Sequence, residues 1–223
     1  MNLSLRLTQL LLKSEALRFG EFKTKSGRLS PFFLNFAMMD RGSQLRELGE
    51  CYAQFILAKE LTNADTIFGP AYKGITLAAV TAESLYAESR GTSDIRVCFN
   101  RKESKLHGEG GSIVGRAPQV GAKVIVVDDV LTAGTSVKES IRLLNEIGIK
   151  PMAVVVGVDR QELGQTTSSA KEEIERDFKV PVFSLTTIDS IVELLTHESA
   201  LFSYKLNQEI LESIKKYRQA YGA

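Results

Sequence analysis

The chain contains the run Val124-Ile125-Val126-Val127-Asp128-Asp129-Val130-Leu131-Thr132-Ala133-Gly134-Thr135. The four residues from 124 to 127 are all β-branched, and such a succession predicts a strand that is buried within a sheet. Asp128 and Asp129 end this predicted strand, and a short loop of small and hydroxyl-bearing residues follows them. The run therefore predicts a buried strand that leads through an acidic step into a tight loop.

The residues after this loop have the pattern of a helix. Val137, Ile141 and Leu144 recur at helical spacing. Ser136 and Glu139 have the spacing of a capping box, so we expect their side chains to cap the first turn. Backbone N–H groups converge on an anion at such a loop, and the helix dipole favours negative charge there. The unit therefore predicts a phosphate site.

The two aspartates beside this loop carry a second kind of chemistry. Asp128 and Asp129 could receive sugar hydroxyls or a hydrated Mg²⁺. An Asp-Asp pair alone is more often an ordinary turn cap. The complete string has neither the Gly-Lys-Ser/Thr of a P-loop nor the glycines of a dinucleotide fingerprint. It resembles the phosphoribosyl-pyrophosphate (PRPP) signature of the type I phosphoribosyltransferases.

Length and composition restrict the class of protein. The chain has 223 residues, of which 25% are charged and 43% hydrophobic, and its net charge is +1. These values predict one domain over residues 1–223, with no large nucleic-acid footprint. No apolar run approaches the ~18 residues that a membrane span needs. Cys51 and Cys98 are far apart in the sequence, so we expect reduced thiols and a cytoplasmic protein.

Strand-like and helix-like segments alternate along the chain. The predicted strands are 66–68, 95–99, 123–127, 153–158 and 180–185, and the predicted helices are 75–87, 136–147 and 171–178. This alternation predicts an α/β fold with a mostly parallel, twisted sheet flanked by helices. Ligands of such sheets bind at the carboxyl ends of the strands. The less regular segment over approximately residues 1–60 predicts a small N-terminal hood.

Two further segments could bind phosphate groups. Residues 68–74 place Lys73 next to a glycine after a predicted strand, where it could face a phosphate or belong to a plain solvated turn. Residues 100–112 are long, polar and rich in glycine, and they include His107 and three cations. Beside a phosphate site, this composition favours a lid that closes over a polyanion, rather than a solvated hairpin tip. The three cations are Arg101, Lys102 and Lys105.

Two segments could hold an anionic ring. Residues 23–28 form a basic turn ahead of the aromatic residues of 30–35, although on the residues alone a surface turn with core phenylalanines is the favoured explanation. Arg160 follows the fourth predicted strand. It could pair with a substrate carboxylate or with a neighbouring acid such as Glu162.

Taken together, these segments are similar to the orotate phosphoribosyltransferases, a family of pyrimidine-synthesis enzymes. The likeness extends from about Leu17 to Asp189. The matching segments are 19–22, 25–28, 68–74, 99–102, 107–111, 127–135 and 159–162. The Asp-Asp loop alone indicates the superfamily, whereas the segments around Lys25, Lys102 and Arg160 are typical of the orotate enzymes.

The resemblance implies a fold, a reaction and a set of site residues. The fold is that of the type I phosphoribosyltransferases, and the reaction transfers ribose 5-phosphate from PRPP to orotate. The residues implied to contact PRPP are Lys25, Tyr72, Lys73, Arg101, Lys102, Lys105, His107, Asp128, Asp129, Val130, Leu131, Thr132, Ala133, Gly134, Thr135 and Ser136. Those implied in catalysis are Asp128, Asp129, Lys102, Lys105 and His107. Those implied to position orotate are Phe33, Leu34, Thr132 and Arg160.

The resemblance also implies a cofactor and an assembly. Mg²⁺ would be held mainly by PRPP, near Asp128 and Asp129. The enzyme would be a homodimer in which the lid, with Lys102, reaches the neighbouring site.

Two other functions are consistent with parts of the sequence. One is a phosphoribosyltransferase for a purine or uracil, against which Arg160 and the segment 32–34 favour an anionic pyrimidine. The other is a non-catalytic regulator that senses PRPP. A base panel with PRPP would separate the first alternative from the orotate enzymes. The regulator would not need the cationic lid, and it would normally need a nucleic-acid-binding face that a net charge of +1 does not indicate. Pyrophosphate release on addition of orotate would exclude it.

Overall fold

The computed structural model of the protein describes residues 2–24, 28–102, 112–164 and 167–223. Along these ranges the chain forms α1 (Leu3–Lys13), β1 (Leu17–Lys23), β2 (Leu29–Leu34), α2 (Gly42–Ala58), β3 (Thr66–Phe68), α3 (Lys73–Glu88), β4 (Arg96–Asn100), β5 (Ile113–Val114), β6 (Val124–Leu131), α4 (Thr135–Glu146), β7 (Ala153–Asp159), α5 (Ala170–Phe178), β8 (Val182–Thr187), α6 (Ile188–His197) and α7 (Gln208–Tyr221).

The central sheet has the strand order β5-β4-β3-β6-β7-β8. All of its strands run parallel except β5, which pairs antiparallel with the end of β4 at one edge. The chain adds β4 on one side of β3, and then adds β6, β7 and β8 on the other side. The crevice outside the carboxyl ends of β3 and β6 is therefore a topological switch point, where ligands of open α/β sheets bind.

Helices cover both faces of this sheet, which explains the unbroken apolar run at the start of β6. Ile125 and Val127 pack in a core that includes residues of α1, α2 and α3. Val124 and Val126 pack on the opposite face, with residues of α4 and α5. All four side chains are fully buried. Over these four residues both faces of the strand are covered, so neither face favours a polar side chain.

The first 58 residues divide between two parts of the fold. α2 packs on α3 and contributes Leu48, Tyr52 and Ile56 to the core on the sheet. β1 and β2 form a separate antiparallel hairpin, and β2 packs against α7. A small hood is predicted over residues 1–60. Within this segment, α2 lies in the layer of helices that covers the central sheet, whereas the β1–β2 hairpin is separate from that sheet.

The predicted α/β architecture with a mostly parallel sheet is confirmed. The predicted strands and helices correspond to β3, β4, β6, β7, β8, α3, α4 and α5, with shifts at their ends. No helix in the described ranges is both long enough and apolar enough to cross a membrane.

Candidate active site

Asp128 and Asp129 lie inside β6, which continues to Leu131. Beyond the two aspartates, Val130 pairs with Val158 of β7, and Leu131 pairs with Asp159. The prediction that the aspartates end the strand is therefore wrong. The local apolar run stops at Val127, but pairing with β7 extends the strand further than the run indicates.

The loop after β6 turns directly into α4 at Gly134. Gly134 is the N-cap residue, and its φ of 72° lies in the left-handed region that glycine adopts without strain. A β-carbon at this position would lie 3.1 Å from Cδ1 of Ile174. The predicted capping box of Ser136 and Glu139 is wrong, because the helix begins at Thr135 and no side chain from the described ranges caps it. The N–H groups of the first turn are thus available to an anion.

Both aspartates are buried, and a hydrogen bond from α2 fixes the strand that carries them. The Asp129 N–H donates to Oδ1 of Asp128 over 3.0 Å. The hydroxyl of Tyr52, a fully buried residue of α2, donates to the carbonyl oxygen of Asp128 over 2.8 Å. Gly157 of β7 makes room for this contact, because a β-carbon there would lie 2.6 Å from the Phe36 ring and 2.7 Å from the Tyr52 hydroxyl. Tyr52 therefore supports the acidic pair.

The electrostatics of the pair are asymmetric. Burial, with the neighbouring Asp129 charge, raises the pKa of Asp128 to about 7, against opposing effects of the Asp129 N–H, Lys73 and Ser136. The Lys73 ammonium forms an ion pair with Oδ2 of Asp129. A cation that arrived beside the pair would therefore favour the ionised form of Asp128.

The donor set fits a hydrated Mg²⁺ ion. Two adjacent carboxylates offer hard oxygen ligands, which Mg²⁺ prefers. Within the described ranges, no group of three His, Cys, Asp or Glu side chains could hold a metal ion. Mg²⁺ at this position would therefore keep water and substrate oxygens as most of its ligands.

The turn between β3 and α3 presents Tyr72 and Lys73 at the carboxyl end of the sheet. A β-carbon on Gly69 would lie 2.0 Å from the carbonyl oxygen of Gly74, so the two glycines let this turn close on itself. The Ala71 N–H donates to the Asn100 side chain of β4 over 2.7 Å. The side chains of the turn reach solvent, with Tyr72 exposed at 70% and Lys73 at 49%.

The predicted lid begins at the same edge. The Arg101 N–H donates to the carbonyl oxygen of Ser112 over 2.8 Å, which continues the pairing of β4 with β5. Lys102 is exposed. Lys25, Lys105 and His107 lie outside the described residues, so their roles stay predictions.

Arg160 is buried next to the end of β6, where its N–H donates to the carbonyl oxygen of Leu131 over 3.1 Å. Nε and Nη2 of Arg160 contact Oε1 of Glu162 at 2.7 Å and 2.6 Å. Nη2 also donates to Oγ of Ser30 over 3.2 Å, and the guanidinium lies 4.5 Å from the centroid of Phe32. The sequence left two partners open for Arg160, a substrate carboxylate or a neighbouring acid. In the free protein Arg160 pairs with the neighbouring acid, Glu162.

The C-terminal helix completes this cluster. The Tyr217 hydroxyl of α7 donates to Oε1 of Glu162 over 2.9 Å, and its ring packs edge-on against Phe32 at 5.7 Å. Burial and the charge of Glu162 raise the pKa of Tyr217, so this phenol is a hydrogen-bond donor at neutral pH.

Phe33 and Leu34 occupy different surroundings. Phe33 stacks on Phe22 at 5.5 Å and lies beneath Arg18, whereas Leu34 is buried in the core. Side chains alternate between the faces of β2, so Phe32, rather than Phe33, faces Arg160. The side chain of Phe33 therefore lies on the face of β2 away from Arg160, and that of Leu34 is enclosed in the core.

Comparison with known proteins agrees with this geometry. Residues 44–185 match the phosphoribosyl transferase domain family. The chain is 46% identical to an orotate phosphoribosyltransferase of Cellvibrio japonicus, over 96% of this chain and 94% of that protein. It is 44% identical to an orotate phosphoribosyltransferase of Colwellia psychrerythraea, over 95% and 94%. The crystal structure of a Francisella tularensis orotate phosphoribosyltransferase superposes with a TM-score of 0.79 at 39% identity, covering 96% of this chain and 98% of that one.

This chain belongs to the orotate phosphoribosyltransferases.

Within this orotate phosphoribosyltransferase, the fold brings some predicted residues together and adds others. Asp128, Asp129 and Lys73 lie beside the loop 132–136. The residues that sequence reasoning missed are Tyr52, Ser30, Phe32 and Tyr217. Helical spacing could have identified Tyr52 and Tyr217 as buried, but nothing in the sequence indicates which polar group each hydroxyl meets.

Proposed function

We propose that this orotate phosphoribosyltransferase transfers ribose 5-phosphate from PRPP to orotate at the carboxyl ends of β3, β6 and β7. The products are orotidine 5′-phosphate and pyrophosphate. The observation that carries the proposal is the buried pair Asp128–Asp129 directly ahead of a glycine-capped helix terminus. A carboxylate pair and an anion-binding loop in succession match the two ends of a ribose phosphate.

The loop after β6 is proposed to hold the 5′-phosphate. The segment from Val130 to Ser136 spans the end of the strand and the start of α4. Backbone N–H groups of Thr132, Ala133, Gly134 and Thr135 would donate to the phosphate oxygens. The dipole of α4 favours the same charge, and the site needs no side-chain cation.

The aspartates are proposed to act on the ribose. Asp128 and Asp129 would accept hydrogen bonds from the ribose hydroxyls. They would also offset the positive charge that develops on the sugar as pyrophosphate departs, since such glycosyl transfers have oxocarbenium character. Lys73 pairs with Asp129 in the free protein. Its ammonium would stabilise the negative charge that develops on the departing pyrophosphate.

Further side chains are proposed to surround the pyrophosphate and exclude water. Tyr72 precedes α3 and Arg101 follows β4, and the family resemblance assigns both to PRPP, together with Lys25, Lys105 and His107. Closure of the lid would strengthen each of these electrostatic contacts. Mg²⁺, when bound with PRPP near Asp128 and Asp129, would neutralise charge on the leaving group.

Orotate is proposed to lie against Arg160. Its carboxylate would meet the guanidinium, and its ring would approach Thr132 and the backbone of Phe33 and Leu34. Burial of Arg160 supports this assignment, because a charge pair away from water gives strong discrimination between anionic and neutral bases.

The assembly is proposed to be a homodimer in the cytoplasm. Lys102 is exposed at the edge of the sheet, next to the paired Arg101 and Ser112. From this edge it could reach the active site of a second subunit, as the family resemblance implies. No role for nucleic acid or membrane is proposed.

The test is the loss of orotate absorbance on addition of PRPP and Mg²⁺, measured in parallel with uracil and adenine. We expect turnover of orotate alone, with release of one pyrophosphate per orotate consumed. Arg160→Ala should raise the KM for orotate by about tenfold or more and leave the KM for PRPP within about twofold.

Arg176→Ala is the matched control, because Arg176 pairs with Asp177 on the exposed surface. Equal turnover of uracil would contradict the proposed specificity. If Arg160→Ala raised the KM for orotate and the KM for PRPP equally, Arg160 would not bind the orotate carboxylate specifically.

A further inference from the structure

The guanidinium of Arg160 has one edge in contact with protein side chains and a second edge, at Nη1, for which the described residues provide no hydrogen-bond partner. Nε and Nη2 face Glu162, and Nη2 also reaches Ser30. No hydrogen bond joins Nη1 to any residue of the described ranges. A guanidinium has five N–H donors in a rigid plane, so fixing one edge also fixes the direction of the other.

A single carboxylate oxygen, Oε1 of Glu162, contacts both nitrogens on the Nε–Nη2 edge of the Arg160 guanidinium. Oε1 of Glu162 accepts a hydrogen bond from Nε of Arg160 and another from the Tyr217 hydroxyl, and it lies 2.6 Å from Nη2 of Arg160. Glu162 is itself buried, at 8% exposure. The three donors therefore hold both the acid and the arginine in one geometry.

The end of α7 is anchored to the turn that carries these residues. The Leu163 N–H donates to the carbonyl oxygen of Tyr221 over 2.9 Å, and the Ala223 N–H donates to that of Gln161 over 2.9 Å. Nη1 of Arg218 donates to the same Gln161 oxygen. Gln161 has a φ of 53°, in the left-handed region, so contacts from α7 hold a turn that would otherwise favour another conformation.

We propose that Glu162 and Tyr217 are positioning residues, which aim the Nη1 edge of Arg160 at the carboxylate of the pyrimidine substrate. The inference rests on the proposed contact between Arg160 and orotate. It adds that α7, which follows the matched domain at residues 44–185, belongs to the substrate-recognition machinery. Holding the guanidinium before the substrate arrives lowers the cost of ordering it on binding.

The first test replaces the hydroxyl of Tyr217 alone. Tyr217→Phe keeps the ring that packs on Phe32, and it should raise the KM for orotate by about three- to tenfold, because two contacts between Arg160 and Glu162 remain. The KM for PRPP should stay within about twofold. Tyr221→Phe is the matched control: the residue lies on the same helix, and the structure gives its hydroxyl no hydrogen bond to a described residue. A Tyr217→Phe variant that behaves like Tyr221→Phe in both KM values would overturn the inference.

The second test asks whether Tyr217 acts through Arg160. In an Arg160→Ala background, Tyr217→Phe should leave the KM for orotate unchanged within about twofold, since the group that it positions is missing. An additive effect of the two substitutions would overturn the inference, because it would give Tyr217 a role independent of Arg160.

The third test removes the charge of Glu162 and keeps its shape. Glu162→Gln should raise the KM for orotate by about ten- to a hundredfold, with a much smaller change for PRPP. A fall in the KM for orotate would overturn the inference, because it would show that Glu162 competes with the substrate for Arg160. Failure of the proposed function is distinguishable, because Arg160→Ala alone would then raise both KM values equally.

Discussion

Asp128→Asn is expected to stabilise the free protein while it removes most of the activity. Asparagine keeps an oxygen that can accept from the Asp129 N–H, as Oδ1 of Asp128 does over 3.0 Å. It cannot ionise, so it avoids placing a second negative charge in a buried position beside Asp129. Activity should fall because one charge that acts on the ribose or on Mg²⁺ is lost.

The magnitude follows from the pKa of Asp128. Burial raises it from 3.8 to about 7, so the folded state holds this proton more tightly than the unfolded state. Stability is therefore lost as pH rises from 3.8 towards 7, and the cost of full ionisation is about 4 kcal/mol. Between pH 5 and pH 8 the cost grows by about 3 kcal/mol. The asparagine variant does not carry this cost, so its advantage over the wild type should grow by the same amount.

The assay is urea denaturation of both proteins at pH 5 and pH 8, without substrate or Mg²⁺. Asp177→Asn is the control, because Asp177 is an exposed acid whose pKa is lowered by Arg176, so its charge is constant over this range. An advantage of Asp128→Asn that stays constant with pH would refute the reasoning, because it would mean that Asp128 is already ionised at pH 5.

Three further predictions test the remaining parts of the site. Gly134→Ala should lower the free energy of unfolding by about 1–2 kcal/mol in urea denaturation, because its φ is left-handed and an added β-carbon would crowd Ile174. Gly121→Ala is the control, because Gly121 has a left-handed φ without such crowding. An equal loss of stability in both variants would mean that the Ile174 side chain moves to make room. Asp129→Asn should fold normally and lose most turnover, and near-wild-type turnover would contradict its assigned role. The variants Lys102→Ala and Asp129→Ala should each be nearly inactive. If the two variants are mixed and exchange subunits, the hybrid dimers should recover roughly a quarter of wild-type activity. No recovery after confirmed subunit exchange would place Lys102 in the active site of its own subunit.

Local sequence patterns were sufficient to predict the order of the elements on either side of the loop between β6 and α4. The β-branched run before Asp128 predicts β6, and the helical spacing after Thr135 predicts α4, because both signals depend on residues that are close in sequence. The details at their boundary were not predictable in the same way. Pairing with β7 extends the strand through both aspartates, and Gly134 replaces the expected capping box.

The sequence by itself determined the α/β architecture, the acidic pair ahead of a short loop and a helix start, and the family to which the chain belongs, because each is encoded by neighbouring residues. Only the tertiary structure decided the state of the groups in the site. The pKa of Asp128 depends on burial by distant elements, including the α2 residue Tyr52 beneath the strand. The surroundings of Arg160 combine side chains from β2, from the turn after β7 and from α7. Residues so far apart in sequence meet only when packing places their elements together, so no local pattern could have predicted which of them would hold the arginine.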